Sequence, residues 1–293
     1  MRGEGCGKAT WLVDVVMPTF NSNTSYFPTV IRSVMSVLKP HHLVVVDRHS
    51  RDGTQNVLRK YAGDKLKLVE LDVDLAYARK VGALLADTEV TCYIDDDIII
   101  PPRFKPLVEK ALSILSNCRL GALALSLCSK EAQIQTDIKL PKLSRVIRPL
   151  SMLSAGEVLK RGLHVYSRGF TFFFCIKRKL VETWNPPISL SAYEDYHLSQ
   201  HVLHRGYLWV ELSVPCVVHM KEFRYKGLNR YIKQGLWEGA NVLTTGIPLG
   251  YVIIHVIGRV IGALYNRNPY QFLTYVGYIV GLIASRRYKS WRR

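Results

Sequence analysis

Two hydrophobic periods alternate along the first hundred residues. Residues 12–17 are a short β-branched run closed by Pro18, which predicts a buried strand followed by a polar loop, PTFNSNTSYFP. Residues 29–38 place Val30, Val34, Val37 and Leu38 at helical spacing. A second strand follows at 42–46, closed by DRHSRDGT, then a helix at 54–62, a third strand at 66–71, a helix at 75–86 and a fourth strand at 90–94. Strand–helix alternation of this kind predicts a parallel sheet with right-handed crossovers. Ligands of such sheets bind at the carboxyl ends of the strands, so the loops at 18–28, 47–53, 72–79 and 95–97 are expected to converge on one crevice.

The fourth strand ends in CYIDDDIII, which puts Asp95, Asp96 and Asp97 in line at its exit. Unpaired carboxylates in an apolar setting cost several kcal/mol each or shift their pKa and neutralise. A divalent cation is the natural compensator, and oxygen ligands suit Mg²⁺ or Mn²⁺; the plainer alternative is an exposed acidic turn. Ile98–Ile100 and the two prolines after it then begin another layer. Further on, Glu194 and Asp195 open a stretch with helical spacing (Leu198, Val202, Leu203) that Gly206 ends. Acidic residues are favoured at a helix N-terminus by the dipole, and the same pair offers a carboxylate base.

The chain has 293 residues, 48% hydrophobic, enough for one large α/β domain or two modest ones and too apolar for disorder. Its 40 Lys+Arg against 23 Asp+Glu leave +17, which points to a polyanionic partner: nucleic acid, phosphorylated small molecules or an anionic membrane. Cys6, Cys92, Cys118, Cys128, Cys175 and Cys216 show no CxxC or metal-ligand spacing and read as reduced core thiols of a cytosolic domain. The N-terminal MRGEGCGKATW has no apolar stretch of a signal peptide. Its GEGCGKAT imitates a phosphate loop, but Ala9 stands where a metal-binding Ser or Thr is needed and no strand precedes it, so it reads as a flexible tail.

Six segments in order, VVMPTFN, VVVDRHSRDGT, AYARKVGALLA, YIDDD, GFTFFFCIKRKLVETW and YEDYHLSQHVLHRGY, together resemble the inverting glycosyltransferases of family 2. That resemblance implies the GT-A fold, a nucleotide-diphospho-sugar transferase α/β/α sandwich, and a D-x-D motif at Asp95 and Asp97. It also implies that Pro18, Thr19 and Asn21 line the nucleotide pocket, that Asp47 accepts a hydrogen bond from the base and that Arg79 approaches the base or diphosphate. Asp95 would touch the ribose or the metal, and Asp97 would ligate the Mg²⁺ or Mn²⁺ that bridges the diphosphate. Asp195 would be the catalytic base, Glu194 would position it, and His219 would be a third metal ligand or a structural histidine. The chemistry asks for these parts: the departing diphosphate gains negative charge that a metal stabilises, and the acceptor hydroxyl must lose a proton as it attacks. Arg48 and His49 depart from the family pattern, which often has an acid and a glycine there, and imply a more basic nucleotide pocket. YIKQGLW is similar to the Q-x-x-R-W element of processive relatives, with Leu236 in place of the arginine; Trp237 would stack on an acceptor sugar or pack in the core.

Two segments point to a bilayer. Lys139, Lys142, Arg145 and Arg148 interleave with Leu140, Leu143, Ile147, Leu150 and Leu153 as in a basic amphipathic helix, interrupted by Pro141 and Pro149. The apolar stretches 247–265 and 270–285 span about 19 and 16 residues against the roughly 20 that a spanning helix needs. Basic flanks, KEFRYKGLNRYIK before and SRRYKSWRR after, suit a hairpin with both ends cytosolic, although His255 and Arg259 oppose simple insertion. The expected organisation is a tail at 1–10, a nucleotide-sugar half at 11–135, an interfacial segment at 136–168, an acceptor-binding catalytic half at 169–240, and membrane-associated helices at 241–293, a short hairpin or a re-entrant pair. The expected function is transfer of a sugar, mannose from GDP-mannose first, to a polyprenyl phosphate or lipid-linked saccharide at the cytoplasmic face of a membrane. The alternatives are a UDP-dependent glucosyl or GlcNAc transferase, an inactive membrane scaffold, and a nucleic-acid-binding protein; for the last, no recognised module is present.

Overall fold

The computed structural model describes residues 12–115, 120–127, 163–165, 172–186, 194–220, 231–232, 235–236, 239, 249–265, 267 and 269–288. The expected alternation is present as β1 (Val13–Thr19), α1 (Phe27–Val37), β2 (Leu43–Asp47), α2 (Thr54–Ala62), β3 (Leu66–Glu70), α3 (Leu75–Leu85) and β4 (Val90–Ile94). After these come β5 (Ile98–Ile99), α4 (Lys105–Ile114), β6 (Leu120–Leu127), β7 (Leu163–Val165), β8 (Phe173–Lys177), α5 (Arg178–Glu182), α6 (Glu194–His204), β9 (Leu208–His219), α7 (Leu249–Tyr265) and α8 (Pro269–Tyr288). Chain contacts divide these into two units. The first holds Met1–Val73, Tyr77–Asn185 and Leu198–Lys221, and the second Asp74–Ala76, Pro186–His197 and Glu222–Arg293.

The first unit is built on a mixed sheet of order β3-β2-β1-β4-β8-β6-β9-β5, with β7 added on β9. The leading four strands are parallel, and β8 turns the sheet antiparallel at β4. β1 runs through Pro18 rather than stopping before it. Its pairing with β4 ends at Val16, while pairing with β2 continues through Pro18 and Thr19, so the missing N–H of Pro18 breaks no ladder bond on the β4 side.

Alternation along β1 sends its side chains into two layers. Val13, Val15 and Met17 join one core with Val30, Ile31 and Val34 of α1, Leu58 of α2 and Val108 of α4. On the other face, Gly82 of α3 lies so close that a Cβ there would sit 2.2 Å from Val16 Cγ1. The same face carries Tyr93 stacked on Phe174, with centroids 4.8 Å apart, and Phe174 against Trp209 at 5.2 Å. Three layers result, as expected. Each fully buried aliphatic side chain contributes roughly 1.5–3 kcal/mol.

One expectation needs correction. Cys92 and Cys175 are joined in a disulfide rather than held as thiols; the antiparallel β4–β8 register sets them opposite each other, a pairing invisible to local spacing. Cys6, Cys118 and Cys128 lie outside the described residues. The hydrophobic tail forms helices, but none among the described residues is long and apolar enough to cross a membrane. Of the segment 136–168 only β7 is described, a strand on β9 rather than a helix; the basic stretch before it lies outside.

In the second unit, Val252 and Val256 of α7 pack with Tyr278 of α8, supported by Val260, Leu282 and Tyr196. Gly235 and Gly239 lie close on α8. A Cβ at Gly235 would fall 1.8 Å from the Thr274 carbonyl oxygen, and one at Gly239 1.9 Å from that of Tyr278. Only glycine permits such an approach.

Candidate active site

The carboxyl ends of β1, β2 and β4 carry the residues that the sequence singles out. Thr19 and Asp47 close β1 and β2 in register. The Thr19 hydroxyl donates to Asp47 Oδ1 at 2.7 Å, and the Ser50 hydroxyl to the same oxygen at 2.6 Å. Asp47 Oδ2 accepts from Ser50 N at 2.8 Å and from Gln55 Nε2 at 3.2 Å. The Asp47 carboxylate is fully buried and engaged on both oxygens. It therefore fastens the loop after β2 onto the end of β1.

Asn21 and His49 both hold a positive φ of 51°, and the two loops interlock through them. Asn21 N donates to Ser50 Oγ at 2.7 Å, and Asn21 Oδ1 accepts from Arg51 N at 3.0 Å. Asp52 accepts from Asn23 N and from the Thr54 hydroxyl. Against some desolvation, these bonds hold its carboxyl below the usual range. The basic pair is offset: Arg48 Nε lies 2.7 Å from Asp72 Oδ1, and His49 Nδ1 3.6 Å from Glu70 Oε2. The pocket is thus less basic than Arg48 and His49 alone imply.

The three aspartates diverge. Asp95 faces Arg79, whose Nη2 lies 3.2 Å from Asp95 Oδ1. Arg79 itself is 2% exposed, held over the Phe174 ring at 5.6 Å, while its carbonyl accepts from the Tyr93 hydroxyl. Desolvation pushes the Asp95 carboxyl up to about 7, against the pull of Arg79 and with the repulsion of Asp97 and Asp96. Asp96 accepts a short hydrogen bond from the Ser22 hydroxyl, which anchors the first loop. Asp97 is buried, with Oδ2 3.3 Å from His219 Nε2. The β5–β9 pairing creates that contact, with Ile98 opposite His219 and Met220 N donating to the Asp97 carbonyl at 2.7 Å. Phe172 packs edge-on to the His219 ring at 5.5 Å.

Thr19, Asp47, Arg79, Asp95, Asp97 and His219 all belong to this sheet end, with Pro18 at its base. Glu194 and Asp195 open α6 as expected, in the second unit; Glu194 is buried, and Asp195 Oδ1 accepts from Tyr196 N at 2.7 Å. Trp237 lies outside the described residues. Sequence reasoning passed over Ser22, Ser50 and Gln55. Their signal was only the density of Ser and Asn in the two loops, a composition that favours side-chain-to-backbone turns.

Residues 14–117 match the sequence model of glycosyl transferase family 2. The matched segment is 104 of the chain's 293 residues. No curated protein matches it in sequence. Among solved structures, a Pyrobaculum calidifontis mannosyltransferase in complex with GDP-Man and Mn²⁺ shares 17% identity over 96% of this chain and 88% of its own, with a TM-score of 0.58. Glucosyl-3-phosphoglycerate synthase from Mycobacterium tuberculosis, in complex with Mn²⁺, UDP and phosphoglyceric acid, shares 17% identity over 85% of both chains at a TM-score of 0.54. Residues 1–349 of S. aureus TarS share 14% identity over 94% of this chain and 91% of that one at 0.51. At such identities the likeness is one of fold, the α/β GT-A architecture with its mixed sheet.

Proposed function

We propose that the protein is a divalent-metal-dependent, inverting glycosyltransferase of family 2, that its donor is a nucleotide sugar with GDP-mannose first, and that its acceptor is a polyprenyl phosphate or lipid-linked saccharide at the cytoplasmic face of a membrane. The observation that carries the reading is the pairing of Asp97 with His219 beside the Arg79–Asp95 pair, at the carboxyl ends of parallel strands. The donor set fits a metal. A carboxylate and an imidazole stand 3.3 Å apart, next to a second carboxyl whose charge is already disfavoured by desolvation and by its acidic neighbours. Asp97 and His219 would hold the ion, with Asp95 adjoining, and a mixed oxygen–nitrogen set suits Mn²⁺. When bound, the ion would supply Lewis-acid stabilisation of the departing diphosphate.

The chain's own residues account for the rest. Arg79, nearly buried, adds fixed positive charge beside the diphosphate position, where a preorganised cation acts at low reorganisation cost. The loops locked by Asp47 and Asp52 frame the nucleotide, with Thr19 and Asn21 at its edge. On a lipid-linked saccharide, Asp195 takes the proton from the acceptor hydroxyl as that oxygen attacks the anomeric carbon and the bond from that carbon to the diphosphate oxygen breaks, which inverts the anomeric centre; a polyprenyl phosphate attacks through an oxygen that is already ionised and leaves Asp195 no proton to take. Glu194 positions it. The Pyrobaculum neighbour with GDP-Man supports mannose; the Mycobacterium neighbour with UDP keeps a UDP-sugar as the second reading.

Membrane association has its own support in the second unit. Ile254, Ile257, Ile261 and Leu264 form an exposed stripe along α7, Ile254 being 74% exposed, and Ile283 of α8 is 79% exposed. Scattered exposed apolar residues are ordinary, but a contiguous stripe marks an interaction surface. Transfer of labelled mannose from GDP-mannose to polyprenyl phosphate and to a lipid-linked saccharide, both in detergent, tests the whole reading. Transfer to either should need Mn²⁺ or Mg²⁺, and transfer to the saccharide hydroxyl should fall by about 10²–10⁴ in Asp195→Asn. A wild-type rate of saccharide transfer in Asp195→Asn removes the base, and transfer unaffected by EDTA removes the metal.

A further inference from the structure

The opposite end of the same sheet holds a second constellation. His41 and His42 lead into β2, and Asp87 lies in the turn between α3 and β4. One ligand atom from each of the three lies within 4.8 Å of the other two. His42 Nδ1 is 3.2 Å from Asp87 Oδ2 and 3.4 Å from Asp14 Oδ1. That ring nitrogen is buried and makes no hydrogen bond. The two imidazoles pack at 4.0 Å between centroids, inclined at 65°.

We propose that His41, His42 and Asp87 form a site for Zn²⁺, or a transition-metal cation of its kind, separate from the crevice. Two neutral imidazoles and one carboxylate are a borderline-soft donor set that suits Zn²⁺ and leaves a fourth position for water. β2 runs from Leu43 to Asp47, so about 16 Å of strand, at roughly 3.3 Å per residue, separates this site from the Asp47 end of the sheet.

The backbone that carries the ligands is held firmly. His41 N donates to the Val13 carbonyl at 2.8 Å, and the His42 carbonyl accepts from Val15 N at 2.9 Å. The buried carboxylate of Asp14 accepts from His42 N at 2.8 Å, from Asp87 N at 2.6 Å and from Thr88 N at 2.9 Å. Asp14 therefore sets the spacing between the histidines and Asp87, the role that outer residues play around metal ligands. A cation there would clasp the segment before β2 to the turn before β4. Lys67 is the competitor, with its ammonium 2.6 Å from Asp87 Oδ2.

The test is calorimetric titration with ZnCl₂ alone, on the full chain carrying Asp97→Asn so that the crevice is silenced. One equivalent of Zn²⁺ should bind and raise the melting temperature, whereas MgCl₂ should not compete, because Mg²⁺ prefers all-oxygen shells. His41→Ala and Asp87→Asn, both at exposed positions, should each weaken Zn²⁺ at least about tenfold. Lys67→Met should tighten it. Absence of binding overturns the proposal, as does Zn²⁺ binding that persists in His41→Ala and Asp87→Asn, which would place the ion on other residues such as the cysteines.

Discussion

Asp47 offers a test in which structure and sequence pull apart. Read from the sequence, its carboxylate meets the base; in the structure it is fully buried and takes four hydrogen bonds from its own chain. Replacement by Ala strands those donors unequally. The Ser50 hydroxyl and the Gln55 amide are partly exposed and can turn to water. The Thr19 hydroxyl is 4% exposed, and the Ser50 N–H is fixed by the backbone. Each buried orphan costs about 1–3 kcal/mol, so Asp47→Ala should lose roughly 4 kcal/mol. Asp47→Asn should lose only about 1 kcal/mol, because the amide oxygen can keep Ser50 N and Gln55 while its NH₂ donates to the two rotatable hydroxyls. Urea unfolding of both variants measures this through the midpoint at unchanged slope. If Asp47→Ala falls within 1 kcal/mol of wild type, or Asn costs as much as Ala, the loop-fastening role is wrong.

Other outcomes follow from the same geometry. The Asp95 carboxyl is raised from its usual 3.8 to about 7, so its contribution to stability is full below about pH 4 and is lost as pH rises through about 7; melting temperature without metal should decline over that window, and Asp95→Asn should flatten the decline. Gly82→Ala would push a Cβ to 2.2 Å from Val16 and should cost about 1–3 kcal/mol by overpacking, although alanine is the better helix former; an unchanged midpoint would refute the close approach. Ile254→Asp should leave unfolding unchanged within about 0.5 kcal/mol and reduce sedimentation with anionic liposomes at least tenfold, and unaltered sedimentation would remove the α7 stripe from membrane binding.

The first half of the sheet is legible because its information is local. Buried parallel strands read as continuous β-branched runs, and the polar loops that close them mark the crevice. Asp95 and Asp97 stand out for the same reason: three charges end an apolar run. What stays hidden depends on pairing between distant segments. Cys175 meets Cys92 across a separation of 83 residues, and His219 meets Asp97 only because β9 returns antiparallel to β5. Asp14, a charge inside an apolar run, passes for a strand residue until three backbone N–H groups converge on it. Membrane-like hydrophobicity in 247–265 is real in composition, yet α7 has 17 residues, about 25 Å at 1.5 Å per residue, short of a bilayer core of roughly 30 Å.

Asp97, beside His219, is proposed to hold a cation through which a nucleotide sugar is bound at the strand ends. Calorimetric titration of GDP-mannose into the wild-type chain and Asp97→Asn, each with Mn²⁺ and with EDTA, tests it most directly. GDP-mannose should bind the wild type with Mn²⁺ and bind at least tenfold more weakly in the other three titrations, with UDP-glucose as the comparison that identifies the base. Equal affinity with EDTA, or full affinity in Asp97→Asn, would contradict it.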